Sequence, residues 1–155
     1  MYGVPKTHKR DVTWALLRHL DQLYHLPWCC IGDFNEIVKI EEMRGRFQRA
    51  DRQMQLFRDA LDDYGLIDLC FKGFLFTWCN NRDPPFTTWV RLDRAVATTE
   101  WLAKFPMAQI EHVNVSKFDH KCLWLDCTPP KQSRRKQRPF HFEKMWMMDE
   151  GWRKQ

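Results

Sequence analysis

Long apolar runs are missing from this 155-residue sequence, so no segment reaches the length of a membrane span. Nor does a basic-then-apolar leader follow Met1, and no translocation signal is visible. The cysteines include no Cys-x-x-Cys pair, and no histidine stands at zinc-ligand spacing from them, which removes a structural zinc site. Cys29, Cys30, Cys70, Cys79, Cys122 and Cys127 sit mostly within apolar runs and read as reduced, buried thiols of an intracellular protein without disulfides. Acidic residues are the scarcer charge, 20 against 25 Lys and Arg, and the resulting +5 is a mild bias toward polyanionic partners. No internal repeat is present. What the chain does contain, 44% apolar and 14% aromatic residues, excludes a disordered protein and suffices for one domain with a real core.

The richest stretch is 28–36, Trp-Cys-Cys-Ile-Gly-Asp-Phe-Asn-Glu. Its apolar residues without polar alternation predict a short strand covered on both faces and ended by Gly32. On an extended backbone Asp33 and Asn35 point the same way while Phe34 turns to the core. A carboxylate beside a carboxamide at a strand end offers a base for water and a neutral donor for a phosphate or carbonyl oxygen. An Asx turn that merely ends the strand is the competing reading.

Ahead of this strand, Tyr2 to Pro5 is an extended piece. Trp14, Leu17, Leu20 and Tyr24, flanked by Leu16 and Leu23, mark one broad apolar face of a helix capped at Asp11. Residues 36–49 are charged and aperiodic and read as a surface loop, with Arg44, Arg46 and Arg49 either touching nucleic-acid phosphates or simply solvated. A second helix from Asp51 buries Met54, Phe57, Leu61 and Tyr64 and stops at Gly65 in a left-handed cap.

Strands follow at 66–71 and 74–78, a turn at 80–85, and a strand at 87–97 expected to pair antiparallel with them. That last strand places Trp89, Arg91 and Asp93 on one face, a polar rim or an ordinary exposed face, with Val90 and Leu92 on the other. A short helix at 99–105 precedes strands at 109–115 and 121–126, which flank Asp119 and His120. A carboxylate next to an imidazole at a strand junction can hold a divalent ion while the ring contacts a phosphate. Beyond Cys127 the character changes to a Pro-bounded basic linker, in which Lys131 to Arg138 reads as a tether or a nucleic-acid-binding arm. Residues 140–152 form an amphipathic segment with nothing evident in this chain to pack on.

Five stretches in order, Tyr2-Gly-Val-Pro5, Gly32-Asp-Phe-Asn35, Phe76-Thr-Trp78, Arg91-Leu-Asp-Arg94 and Asp119-His120, resemble the endonuclease/exonuclease/phosphatase superfamily. Within it, the chain is similar to the apurinic-type endonuclease domain of plant LINE-type, non-LTR retrotransposon polyproteins. The resemblance implies an α/β (α+β) fold, the C-terminal half of a four-layer α/β/β/α sandwich of the DNase I-like type. It implies a partial domain at 1–128, and at 129–155 a linker and tail toward a reverse transcriptase. The implied activity is DNA nicking by phosphodiester hydrolysis with Mg²⁺ or Mn²⁺, in the nucleus if the element is expressed.

Carried over by the same resemblance, Asp33 orients or deprotonates the attacking water, and Asn35 steadies it and a phosphate oxygen. Asp93 fixes the tautomer of His120, His120 stabilises developing charge, Asp119 helps hold the metal, and Tyr2 contacts the scissile phosphate. Trp78 and Trp89 shape a pocket for sugar or base, and Arg44, Arg46 and Arg91 contact DNA. The family places an Asn-bearing strand and a strand with the main Glu ligand ahead of Tyr2. This chain shows neither, has Phe118 where relatives carry Ser, and has Lys6 where they carry Asn. Low solubility and no turnover by the chain alone are therefore expected. A non-catalytic nucleic-acid-binding remnant is the alternative, and a phosphatase or lipid phosphodiesterase of the same fold is a variant.

Overall fold

The structure, a computed structural model, describes residues 1–6, 9–23, 26–46, 48–115 and 118–128. Tyr24, the basic arm and the amphipathic segment of the tail lie outside the described residues. The architecture is mixed α+β, with three helices and three small sheets among the described residues.

The first sheet is central. Strand β1 (Cys29–Asp33) and β3 (Leu66–Asp68) flank β7 (Asp93–Thr98), and both pair with it antiparallel. All six residues of β7 are buried, which follows from its central position with helices over it. The second sheet orders β2 (Met43–Arg44), β6 (Trp89–Val90) and β5 (Trp78–Cys79). The third orders β4 (Phe71–Lys72), β8 (Gln109–Val113) and β9 (Cys122–Asp126), with β4 parallel to β8.

Helix α1 (Arg10–Leu23) and helix α2 (Asp51–Asp63) form a layer against the first sheet. Leu17, Phe57, Ala60 and Leu61 pack there with Phe34, Leu66 and Val96, and Trp14 stacks on Phe57 at 4.8 Å between centroids. The stripe expected on α2 is the buried one, and Gly65 takes the left-handed conformation, φ 57°, that its place after the helix requires. The short helix α3 (Thr99–Lys104) is capped by the Thr98 hydroxyl, which accepts from the Trp101 N–H.

Several expectations are corrected. The apolar face read on α1 is only partly a core face: Leu17 is buried, whereas Leu16, Leu20 and Leu23 are exposed and Thr13 is buried instead. The strand expected at 66–71 divides between two sheets. The strand at 74–78 shortens to its last residue plus Cys79, and the run 87–97 breaks at Arg91 and Leu92 as it passes from the second sheet to the first. β1 runs through Gly32 to Asp33 rather than ending at Gly32, and its residues before Asp33 are half-buried. Residues 1–3 lie along it: the Met1 amino group donates to the Ile31 carbonyl, and Gly3 N donates to the Asp33 carbonyl at 2.6 Å. Gly32 has φ +147°, and any Cβ there would strike the Met1 carbonyl, so this close approach demands glycine.

The largest correction concerns 36–49. This is no solvated loop: Glu36, Ile37 and Glu42 are fully buried, Ile40–Glu42 is a 3₁₀ turn, and Met43–Arg44 is a strand. Glu36 and Glu42 are inside because arginines meet them there, whereas Glu41, Arg44 and Arg46 remain exposed as expected. Glu36 pairs with Arg10 and Arg49, and Glu42 with Arg91 and Arg94, which also share Asp68. All six cysteines are free, but Cys79 alone is buried, and Cys70 and Cys122 are exposed. No helix among the described residues is long and apolar enough to cross a membrane.

Candidate active site

The β1–β7 register places Asp33 directly opposite Asp93, at one end of the first sheet. After Asp33 the chain turns sharply. Phe34 is fully buried, its N–H donating to the Leu92 carbonyl at 2.9 Å, and Asn35 adopts a left-handed φ of 57°. Asn35 N donates to Asp33 Oδ1 at 2.7 Å and its Nδ2 donates to Oδ2 at 2.9 Å. The two side chains therefore do meet, but through an Asx turn rather than along an extended strand. The Asx turn is the reading that the geometry shows. The second Nδ2 hydrogen goes to the Gly3 carbonyl at 2.8 Å, so the Asn35 amide is committed to holding Asp33 and the 1–3 segment.

The third element arrives from the 118–121 segment. His120 Nδ1 lies 2.9 Å from Asp93 Oδ2, and the ring is half-buried. The hydrogen bond to Asp93 raises the His120 pKa, with burial working against it and Asp33 and Asp119 adding to it. Burial raises the Asp33 pKa, opposed by the Asn35 N–H, while Asp93 pushes it further up. Asp33 is thus a carboxylate kept more basic than usual beside an imidazole kept more cationic than usual.

A residue that the sequence reading left without a role ties these parts together. Thr77, buried in the middle of the Phe76-Thr-Trp78 stretch, accepts at its hydroxyl from Leu92 N at 3.0 Å and Asp93 N at 2.9 Å. Its carbonyl accepts from Lys121 N at 2.7 Å, and Trp78 forms a backbone bridge with His120. One strand end thereby fixes both the Asp93 and the His120 backbone. The only sequence signal for this role was the position of a threonine inside an apolar strand.

The other expected site residues are distributed as follows. Tyr2 is bridged to Asp33 through the backbone, with its ring 72% exposed. Asp119 is exposed, and Trp78 Nε1 donates to its Oδ2 at 3.0 Å, holding its carboxyl below the usual range. Trp78, Trp89, Phe76, Phe118 and His120 line a pocket of about 200 Å³. Arg46 and Arg82 border an adjoining groove of about 690 Å³ with Trp78, Asn80, Phe86 and Asp119. Arg44 is exposed on β2 and does not line that groove. Arg91 sits on no rim: it is buried, bound to Glu42 and Asp68, with its guanidinium 4.5 Å over the Phe71 ring.

Among the described residues, Asp33, Asp93 and His120 form a group that could hold a cation, their ligand atoms all lying within 4.8 Å of one another; Asp119 is not in that group. The two carboxylates are donors that fit Mg²⁺ or Mn²⁺, and Mg²⁺ keeps several waters and needs few protein ligands; the imidazole does not favour either ion. Each carboxylate oxygen already accepting a hydrogen bond retains a lone pair for such an ion. The same hydrogen bonds hold the cluster together without one.

No protein-family model matches this chain, and no curated protein matches it. The candidate site therefore stands on its own geometry, in which a buried carboxylate, the amide bonded to it and a carboxylate-backed imidazole converge from three separate stretches of chain.

Proposed function

We propose that this chain carries the proton-transfer and phosphate-stabilising groups of a divalent-metal-dependent DNA endonuclease, of the apurinic type found in plant LINE-type polyproteins. The observation that carries this reading is the convergence of Asp33, Asp93 and His120 beside an aromatic pocket. In line with it, the full domain would be a four-layer α/β/β/α sandwich and its setting nuclear, next to a reverse transcriptase.

Asp33, its basicity raised by burial, takes a proton from the attacking water, while Asn35 keeps its carboxylate aimed. His120, protonated and anchored at Nδ1, offers Nε2–H to a nonbridging phosphate oxygen as charge grows there. Bound Mg²⁺ or Mn²⁺ at Asp33 and Asp93 would neutralise charge on the phosphate and the departing 3′-oxygen. Trp78 and Trp89 flank the sugar or base, and Arg46 meets the phosphate backbone.

The cluster contains no glutamate and no asparagine free to donate to phosphate, so turnover needs a further ligand segment. The test is nicking of supercoiled plasmid with Mg²⁺ or Mn²⁺, beside EDTA and Asp33→Ala controls. The expected result is no nicking by the chain as given, and metal-dependent nicking once a family segment bearing the Asn and Glu strands is fused ahead of Tyr2. Persistent inactivity of the fused, folded chain would overturn the reading.

A non-catalytic nucleic-acid-binding role is favoured by one observation, the placement of Arg46 and Arg82 along a groove that needs no metal. DNA binding that weakens steeply with salt and is indifferent to EDTA, without nicking in the fused chain, would select it.

A further inference from the structure

Helix α1 has two apolar sides. One carries Leu17 into the core, and the other presents Val12 (59% exposed), Leu16 (49%), Leu20 (37%) and Leu23 (55%). The spacing, four, four and three residues, aligns them in one ridge along the helix. Single exposed leucines are ordinary, but a continuous ridge is a surface that excludes water only when something lies on it.

The geometry points to its occupant. We propose that residues 140–152 of this same chain dock along the α1 ridge, with the basic residues of 131–138 seated on the acidic ends of α1 and α2.

The place where the described chain ends supports this first. Cys127, just past β9, packs in the same cluster as Cys29, and Cys29 faces Ala97 at the end of the first sheet opposite Asp33 and Asp93. Trp28, next to Cys29, accepts from Thr98 N and follows directly on the α1 exit through Leu26. The last 27 residues thus depart from the end of the molecule where α1 finishes. Residues 129–139 reach at most roughly 36 Å when extended. Residues 140–152 as a helix would span about 20 Å, against about 17 Å for the ridge from Val12 to Leu23. Phe142, Met145, Trp146 and Trp152 recur at helical spacing.

Charge points the same way. Neither α1 nor α2 has a basic residue in its last turn, where one would complement the partial negative charge of the helix end. Instead Asp21 lies near the end of α1, and Asp62 and Asp63 end α2. Asp21 and Glu100 border one cleft with Tyr64 and Gly65, so these ends converge. Lys131, Arg134, Arg135, Lys136 and Arg138 are the complement, tethered at high effective concentration. Docked there, the arm is held at the end of the sheet away from Asp33.

Trypsin acting on the full chain tests the proposal, because it cleaves within 131–138 only while the arm is free. Leu16→Asp combined with Leu20→Asp, both exposed positions, is expected to speed cleavage about tenfold, tracking the undocked population. Trp146→Asp, which leaves the folded body untouched, is expected to give the same acceleration, and combining all three to add nothing. Equal cleavage rates in all these chains would overturn the proposal. So would protection that grows with chain concentration, which would assign the ridge to a second copy.

Discussion

Arg94 Nη2 donates to Glu42 Oε2 at 2.8 Å, and both side chains are completely buried although 52 residues separate them. Burial alone would push the Glu42 carboxyl up, but Arg94, the Val38 N–H and Arg91 hold it below the usual range. With Arg91 and Asp68 this is a balanced two-plus, two-minus network under the first and second sheets. Removing one partner leaves an uncompensated buried charge. Glu42→Gln is expected to lower stability by about 3–5 kcal/mol. Glu42→Leu with Arg94→Met should cost less than the sum of the single changes. Urea denaturation of Glu42→Gln, of the two single changes Glu42→Leu and Arg94→Met and of their combination checks this, and additive losses would show that the two side chains act independently.

Thr77→Val keeps the shape of the side chain and removes the acceptor of two buried N–H groups. A loss of about 1–3 kcal/mol is expected, with Thr77→Ser close to the parent. Because Leu92 and Asp93 share that hydroxyl, the His120 ring resonances should shift in Thr77→Val and stay in place in Thr77→Ser. Unmoved His120 signals in the valine variant would mean that Thr77 only fills space.

Asp93→Asn removes the first cause of the raised His120 pKa while burial continues to act against the charged ring. The pKa is therefore expected to fall, read by proton NMR titration of the imidazole. As a raised folded-state value, His120 contributes stability that is fully present below its unfolded pKa and is lost as pH rises through the folded one. In Asp93→Asn that contribution should shrink on the acid side. An unchanged titration would show that the Asp93 contact is not formed in solution.

His112 gives the opposite sign. It is buried, stacked on Phe71 at 4.2 Å, with Nδ1 2.7 Å from the Phe74 carbonyl. Burial lowers its pKa, the Phe74 carbonyl works the other way, and Arg91 and Lys121 lower it while Asp93 raises it. The unfolded histidine binds a proton more readily, near pH ~6.5, so the contribution is complete above that value and declines as pH falls below it. His112→Phe should flatten the melting temperature between pH 7.5 and pH 5 (about the range in which histidine charges). A slope identical to the parent's would assign the dependence to other groups.

Local patterning was sufficient for the parts of this protein that depend on local patterning. The buried stripe of α2, the left-handed stop at Gly65 and the existence of strands before Asp33 and within 109–115 and 121–126 could be read from periodicity and turn chemistry, and turn chemistry and resemblance singled out Asp33, Asn35, Asp93 and His120, which the fold brings together. Tertiary structure alone decided which charges go inside. Little in the spacing of residues 36–49 shows that Glu36 and Glu42 are buried, because apart from Arg49 their partners Arg10, Arg91 and Arg94 lie 26 to 52 residues away. Pairing at that distance makes a charged stretch part of the core and withdraws Arg91 from any surface. It also decided the arrangement of the candidate site, in which Thr77 ties the Asp93 backbone to the His120 segment only because separate stretches of chain meet there. Helical spacing marked α1 as amphipathic, but only packing could show that Leu16, Leu20 and Leu23 face outward while Leu17 is buried, since burial depends on which partner is present and not on the periodicity of the helix itself.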